Sequence, residues 1–394
     1  MLRHIAALLW NTRRSGILLT LQIFLAFIVL FGVLSFTSAN FARYATPLGF
    51  DVANSYVANV DLPEGVDSAA AAELHRRARE EVAALPGVAA VGMLSGIEPF
   101  ENSNWGFGTD DPGFHIWTRV FIADEHYGEA ADLELVRGRW FTPGDTIGGR
   151  WPVVVTQRFM DQNFPHGNPL DSPFVWFGGP TTIVGVVGNF KYLGEFATEE
   201  PLTFIPDMPR DWGGEDFMLT NLLIRTAPGT PASIEETIYE TISVVVGSRE
   251  STVEALEQRR ERTSRSSWVP LIALLSICAF LVANVALGLF GILINAIAKR
   301  RGEIGLRKAL GATGTNITAQ FTAEVVLIAL LGIALGAVVA VQIPMLELLP
   351  LETKFFWWGG LAAVGLILTL VVLCALIPSG QAARIHPAVA LRED

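Results

Sequence analysis

The residues able to do chemistry are few, and their spacing points away from an active site. Of the six histidines, His75, His115, His126 and His166 are scattered through one long central segment. None stands in a His-Glu-x-x-His pattern or at Cys–His spacing, the arrangements that bring two ligands to one zinc ion. Asp124, Glu125, His126 and Glu129 form a cluster of the kind expected on a solvated face. Ser95 stands in Gly-Met-Leu-Ser-Gly, which lacks the Gly-x-Ser-x-Gly turn of a hydrolase nucleophile. The Gly-x4-Gly-Lys-Ser/Thr loop that cradles nucleotide phosphates does not occur in the 394 residues. Both cysteines, Cys278 and Cys374, fall in long apolar runs, so no disulfide framework is expected. Asn316-Ile317-Thr318 fits a glycosylation sequon by pattern alone. No catalytic residue, bound cofactor or metal is expected in this chain.

The one concentrated charge pattern is Lys299–Thr315, KRRGEIGLRKALGATGT. It sets Lys299, Arg300, Arg301, Arg307 and Lys308 against a single acid, Glu303. Glycines at 302, 305, 311 and 314 bracket Ile304–Leu310, which predicts a short helix held between hinges. This is a candidate contact element, carried by Arg301, Glu303, Ile304, Gly305, Leu306, Arg307, Lys308, Leu310 and Gly311. Charge alone supports a blander reading, the excess of bases on the inner side of any membrane protein.

The elements that must position this loop are apolar. Ile17–Phe36, Trp268–Ile294, Phe321–Ile343 and Phe355–Ile377 approach or exceed the ~20 residues that cross a hydrocarbon core. Glu324 is the only charge in any of them, so they read as packing elements, not as an ion or proton pathway. With 51% hydrophobic and 17% charged residues the chain is a membrane protein. Arg3, Arg13 and Arg14, the basic loop, and Arg384 and Arg392 put both termini and the loop in the cytoplasm. The 39–267 segment is then outside. It holds 33 acids and 17 bases, which argues against nucleic acid as a partner because phosphate binding needs clustered bases. The first run is nearer 20 residues than the 7–15 of a signal peptide, so an uncleaved anchor is expected. Leu2, Ile5, Ala6, Leu9 and Trp10 predict an amphipathic helix lying in the inner interface before it.

Outside, Ser55–Val60 reads as a strand and Ala69–Leu85 as a helix capped by Asp67-Ser68 and ended by Pro86-Gly87. Val88–Leu94 begins the next strand. Glu98–Gly113 is loop-like, with Trp105 and Phe107 expected to pack on their own domain. Val120–Ala123, Val153–Thr156, Thr182–Val187 and Asn221–Arg225 are short strands. Arg158–Phe164 and Pro231–Val246 are helices. The pattern is α+β, in two lobes built from non-contiguous pieces. Residues 250–267 are charged and helical in propensity, and run into the second span without a strong breaker; a continuous stalk able to carry motion is the natural reading. Gly332 and Gly336 form a small-xxx-small pair that lets helices approach closely, either within one chain or across a dimer.

RRGEIGLRKALGATGTNITAQFTAEVVLIALLGIALG, Arg300–Gly336, closely resembles the signature of the FtsX-like permease domain of MacB-type ABC transporters. Ala382–Arg392 resembles that family's closing motif, and Leu133–Asp145 (LELVRGRWFTPGD) and Thr182–Gly188 (TIVGVVG) its outer domain. Two departures stand out: the turn before the closing motif is reduced to Pro378-Ser379-Gly380-Gln381, and Asp171 replaces a usual glycine after Asn-Pro-Leu.

The resemblance implies an α-helical membrane protein with four transmembrane helices and a large α+β extracytoplasmic domain, porter-like and sabre-like, between the first and second spans. The expected boundaries are an interfacial helix 1–15, spans 16–38, 268–298, 319–343 and 355–378, and an outer domain 39–249 with stalk 250–267. A coupling loop 299–318, a short outer loop 344–354 and a cytoplasmic tail 379–394 complete them. It further implies a permease subunit of the bacterial inner membrane, dimeric with a second copy or a paralogue. A cytoplasmic ABC ATPase would bind ATP and magnesium on a separate chain and drive it by mechanotransmission. Export or efflux of an envelope substrate is the expected role, with a periplasmic adaptor and outer-membrane channel as further partners. The alternative is a regulator that activates an envelope enzyme such as a cell-wall hydrolase.

Overall fold

A computed structural model describes residues 13–95, 98–101, 106–111, 114–146, 150–165, 167, 170, 173–176, 179–206 and 219–382. The expected interfacial helix 1–15 (but for its last three residues), the closing motif beyond Ala382, Trp105, His166 and Asp171 lie outside the described residues. The chain forms two units, one running to Ala42 and resuming at Trp268, the other Arg43–Ser267.

Four helices, Arg13–Tyr44, Leu256–Lys299, Gly314–Ala340 and Thr353–Ala382, carry the apolar runs. Each is long and apolar enough to cross a membrane. The third and fourth pack on each other, and both, with the second, pack on the first. Leu19, Ile23, Phe27 and Leu30 are buried along it, and each of the other three turns a glycine toward it. A Cβ at Gly332 would lie 3.0 Å from Ile23, at Gly336 2.6 Å from Phe27, at Gly288 2.6 Å from Gln22 and at Gly359 2.1 Å from Ser35. Lipid tails are as apolar as leucine, so close backbone approach, not solvent exclusion, is what holds such helices together. Of the two uses open to Gly332 and Gly336, the structure shows packing within the chain. Gln22 adds a hydrogen bond, its amide donating to Asn284 O at 3.0 Å.

Among the described residues the 43–267 unit carries eleven strands, four short α-helices and a 3-10 turn at Pro143–Thr146. In order these are β1 (Ser55–Asn59), α1 (Ser68–Ala83), β2 (Val88–Ser95), β3 (Gly106–Asp111), β4 (Phe114–Ala123), α2 (Tyr127–Ala130) and β5 (Leu135–Gly138). Then come β6 (Trp151–Thr156), α3 (Gln157–Asn163), β7 (Pro173–Trp176), β8 (Gly179–Val187), β9 (Leu202–Ile205), β10 (Asn221–Thr226), α4 (Ile234–Val246) and β11 (Thr252–Ala255). The sheet runs β11-β1-β10-β2-β4-β9-β6-β8-β5, with β3 on β4 and β7 on β8.

Two lobes share that sheet. In β11-β1-β10-β2 every neighbour is antiparallel, and α1 and α4 cover one face. Side chains alternate along a strand, so Tyr56 and Ala58 join Ala78, Val82, Ile238 and Ile242 in one core, while Val57 faces another. This split β-α-β pair comes from two stretches separated by the second lobe, the non-contiguous construction that the strand pattern predicts. Among the described residues, Leu94↔Ala123 and Ser95↔Ile122 are the pairs that join β2 to β4. In the second lobe β4 and β9, and β6 and β8, are parallel, and the sheet is buried on both faces. The two outer-domain motifs meet there as one joint. Gly138, at φ +71°, would place a Cβ 2.3 Å from Val184 O, and Gly185 one 2.1 Å from Arg139 O. Nothing larger than glycine fits either side of that contact.

Several elements differ from expectation. β3 crosses the segment read as loop, because pairing with β4 overrides the poor strand propensity of its glycines and aspartates. The stalk does not begin at 250: Thr252–Ala255 adds to β1 as an edge strand, and the helix starts at Leu256. Asp124 is buried, not part of a solvated acidic face. Its amide donates to Met93 O at 3.0 Å and its carboxylate accepts from His126 N at 3.2 Å.

Candidate functional site

The basic loop folds as one helix, Arg301–Ala309, between the second and third spans. Gly302 and Gly305 lie inside it, so they are not hinges. Only Gly311 turns the chain, at φ +97°. Its amide donates to Lys308 O and that of Ala312 to Arg307 O, both at 3.0 Å. This pair of bonds around a left-handed residue is the Schellman stop of a helix. Thr313 then caps the third span, accepting from Asn316 N at 3.3 Å.

The loop helix has two unlike faces. Ile304, 3% exposed, enters the core of the membrane unit with Ile297, Ile317 and Phe321, and Gly305 is buried beside it. Leu306 and Leu310, one turn apart, are 52% and 80% exposed. Lys308 is half-buried and Glu303 exposed; the Arg301 side chain lies outside the described residues. Of the nine loop residues singled out by sequence, then, Ile304 and Gly305 anchor the helix, and Leu306 and Leu310 are presented.

A run of polar contacts bolts the helix to the third span. Glu303 pairs with Arg307. Arg307 donates to Gln320 Oε1 at 2.8 Å, Gln320 to Glu324 Oε1 at 3.3 Å, and Arg300 to Glu324 Oε2 at 3.1 Å. The Arg300 guanidinium also lies 5.9 Å from the Phe321 ring centroid, within cation–π reach. Arg300, Gln320 and Glu324 were missed as site residues. The one signal was Glu324, the lone acid of its apolar run, whose partner is now evident.

The chain matches two family models, the MacB-like periplasmic core domain over residues 17–260 and the FtsX-like permease C-terminal over 273–387. The first alone spans more than half the chain. The chain belongs to the MacB-like ABC transporter permeases. It is 24% identical over 281 residues to the ABC transporter permease YknZ of Bacillus subtilis (strain 168), with 69% of each chain covered. It is 26% identical over 284 residues to a probable export ATP-binding/permease protein of Pseudomonas fluorescens, covering 68% of this permease but 42% of that longer chain. The periplasmic region of MacB from Actinobacillus actinomycetemcomitans superposes with TM-score 0.36 at 14% identity, over 55% of the permease and 94% of that region.

In the periplasmic-core domain, the Leu133–Asp145 motif supplies β5 and then a structural turn, Arg139–Asp145. The Asp145 carboxylate takes Arg139 Nη1 at 2.7 Å, Thr142 N at 2.7 Å and Thr142 Oγ1 at 2.9 Å. The Arg139 hydrogen bond is the main reason its carboxyl is held well below the usual range.

Proposed function

We propose that this permease passes the energy of ATP turnover on a separate ATPase chain to its periplasmic-core domain, for export of an envelope substrate across the bacterial inner membrane. The loop helix is the docking element. What supports this is its two-faced construction: Ile304 and the Arg300–Glu324 pair fix one side, while Leu306 and Leu310 stand exposed on a segment set among bases. An apolar pair one turn apart suits a groove on a partner protein. The basic flanks put this loop, and both termini, on the cytoplasmic side, where ATP and magnesium are bound by the partner. A second permease, identical or paralogous, would complete the assembly, and an adaptor and outer-membrane channel would extend it.

The test is copurification of the full chain with its ATPase, using Leu306→Asp and Leu310→Asp. Burying one leucine is worth about 1.5–3 kcal/mol, so each change is expected to weaken assembly roughly 10- to 100-fold. Undiminished assembly and ATPase stimulation in both variants would remove the docking role.

A further inference from the structure

At the base of the periplasmic-core domain, one turn touches both segments through which the chain enters and leaves it. The turn runs from Asn189 to Phe196. On one side, Lys191 Nζ donates to Arg43 O at 2.6 Å and to Thr46 Oγ1 at 3.0 Å, where the first-span helix ends. Lys191 N also donates to Leu48 O at 2.8 Å. The approach is tight: a Cβ at Gly49, which sits at φ +85°, would fall 1.7 Å from Asn189 O. On the other side, Glu195 pairs with Arg260 and accepts from Ser264 Oγ at 2.8 Å, both on the helix that begins at Leu256. The turn is closed on itself by a further bond from Lys191 Nζ to Glu195 O at 2.6 Å.

The chemistry of these contacts is directional. Lys191 is 1% exposed, and these bonds of its ammonium end on backbone carbonyls and a hydroxyl. A lysine held this way reads the position of a main chain, not of a mobile carboxylate, so it fixes where Arg43–Thr46 lies. Arg260 and Ser264 are four residues apart on one helix face, so Glu195 reads both the rotation and the height of that helix.

We propose that this turn is a clasp, in which Lys191 and Glu195 are positioning residues that keep the Arg43–Thr46 and Arg260–Ser264 segments at a fixed separation and make them move together. The clasp rests on the functional reading above only for its purpose, which is to stop the two connections from sliding past each other while force is passed along them.

The experiment places spin labels at Ala45→Cys and Arg265→Cys, both exposed, in the full chain with Cys278 and Cys374 replaced by serine. The distance distribution is recorded in complex with the ATPase, with and without ATP. The unaltered clasp should give one narrow distribution that nucleotide does not change. Lys191→Met, and Glu195→Gln as the milder variant, should retain assembly and turnover but at least double the width and make the distance nucleotide-dependent. If the intact clasp already shows the nucleotide-dependent shift, or if both variants keep the narrow distribution, the clasp is wrong. A chain that stimulates no ATPase would sink the functional reading instead, and the widths without nucleotide would still decide the clasp.

Discussion

At the loop helix, Glu303 and Arg307 pair with 51% and 43% of their side-chain surfaces in solvent. At the base of the periplasmic-core domain, Lys191, Glu195 and Glu98 are almost wholly enclosed, Glu98 bonded to both Asn221 and Arg259. The same residue types therefore do different things. An exposed pair contributes little and is screened by salt, so the Glu303–Arg307 pair can open at little cost. An enclosed charge must be fully bonded, and breaking its set leaves groups that water cannot reach. Burial pushes the Lys191 ammonium down, and against that same cost Arg260 and Ser264 still hold the Glu195 carboxyl below its usual range. One region carries an ion pair that water reaches, and the other carries charges that the protein itself must satisfy.

The contrast can be broken most directly at Lys191. Lys191→Met should destabilise the periplasmic-core domain by about 3 kcal/mol, from charge-assisted bonds worth about 1.5–3 kcal/mol each offset by the gain of an apolar side chain. Denaturant unfolding of the full chain in detergent, followed by tryptophan fluorescence, measures it; a loss below about 1 kcal/mol would mean that Lys191 is no anchor.

Asp124 extends the comparison to an enclosed acid whose cation, Arg79, stands 3.9 Å away. Burial pushes its carboxyl up to about 6. The unfolded value is near 3.9. Because the folded value is the higher, the folded state holds the extra proton between about pH 4 and 6, and stability falls as pH rises through that window. Asp124→Asn should therefore stabilise the chain by about 2–3 kcal/mol at neutral pH, with the gain disappearing below about pH 4. Unfolding curves across that range check the sign; parallel pH profiles for the two chains would contradict it.

The loop helix should respond more weakly. Glu324→Gln weakens the bond to Arg300 without emptying the site, and about 1 kcal/mol is expected, seen as faster hydrogen exchange across 301–309. Glu303→Gln should cost no more than about 0.5 kcal/mol, and a larger effect would show that the pair is less exposed in the assembled protein than in the single chain.

Much of this architecture is legible in sequence. The four spans follow from hydropathy, and β1, β2, β6, β8 and β10 from runs of β-branched and apolar residues. The loop helix read from the sequence as Ile304–Leu310 folds as Arg301–Ala309, three residues earlier at its start; Gly302 and Gly305, read as hinges, fit inside the helix that Ile304 anchors, and only Gly311 takes the left-handed turn. The strands β3, β7, β9 and β11 were invisible because each owes its form to a partner strand, not to its own pattern. Lys191 gave no warning either. Its bond to Thr46 Oγ1 spans 145 positions, and a lysine next to a tyrosine in a glycine-bounded segment reads as surface.

The interleaved first lobe has a consequence for how the protein is made. β1 and β2 do not pair with each other; β10 lies between them and bonds to both. During synthesis the gap between β1 and β2 stays open while the about 125 residues that follow β2 are made. The lobe closes only when Asn221–Ala255 arrives, and the second span comes directly after it. Closure of the lobe thus falls late in the chain, and a chain stopped before Asn221 would leave the edges of β1 and β2 that β10 covers open.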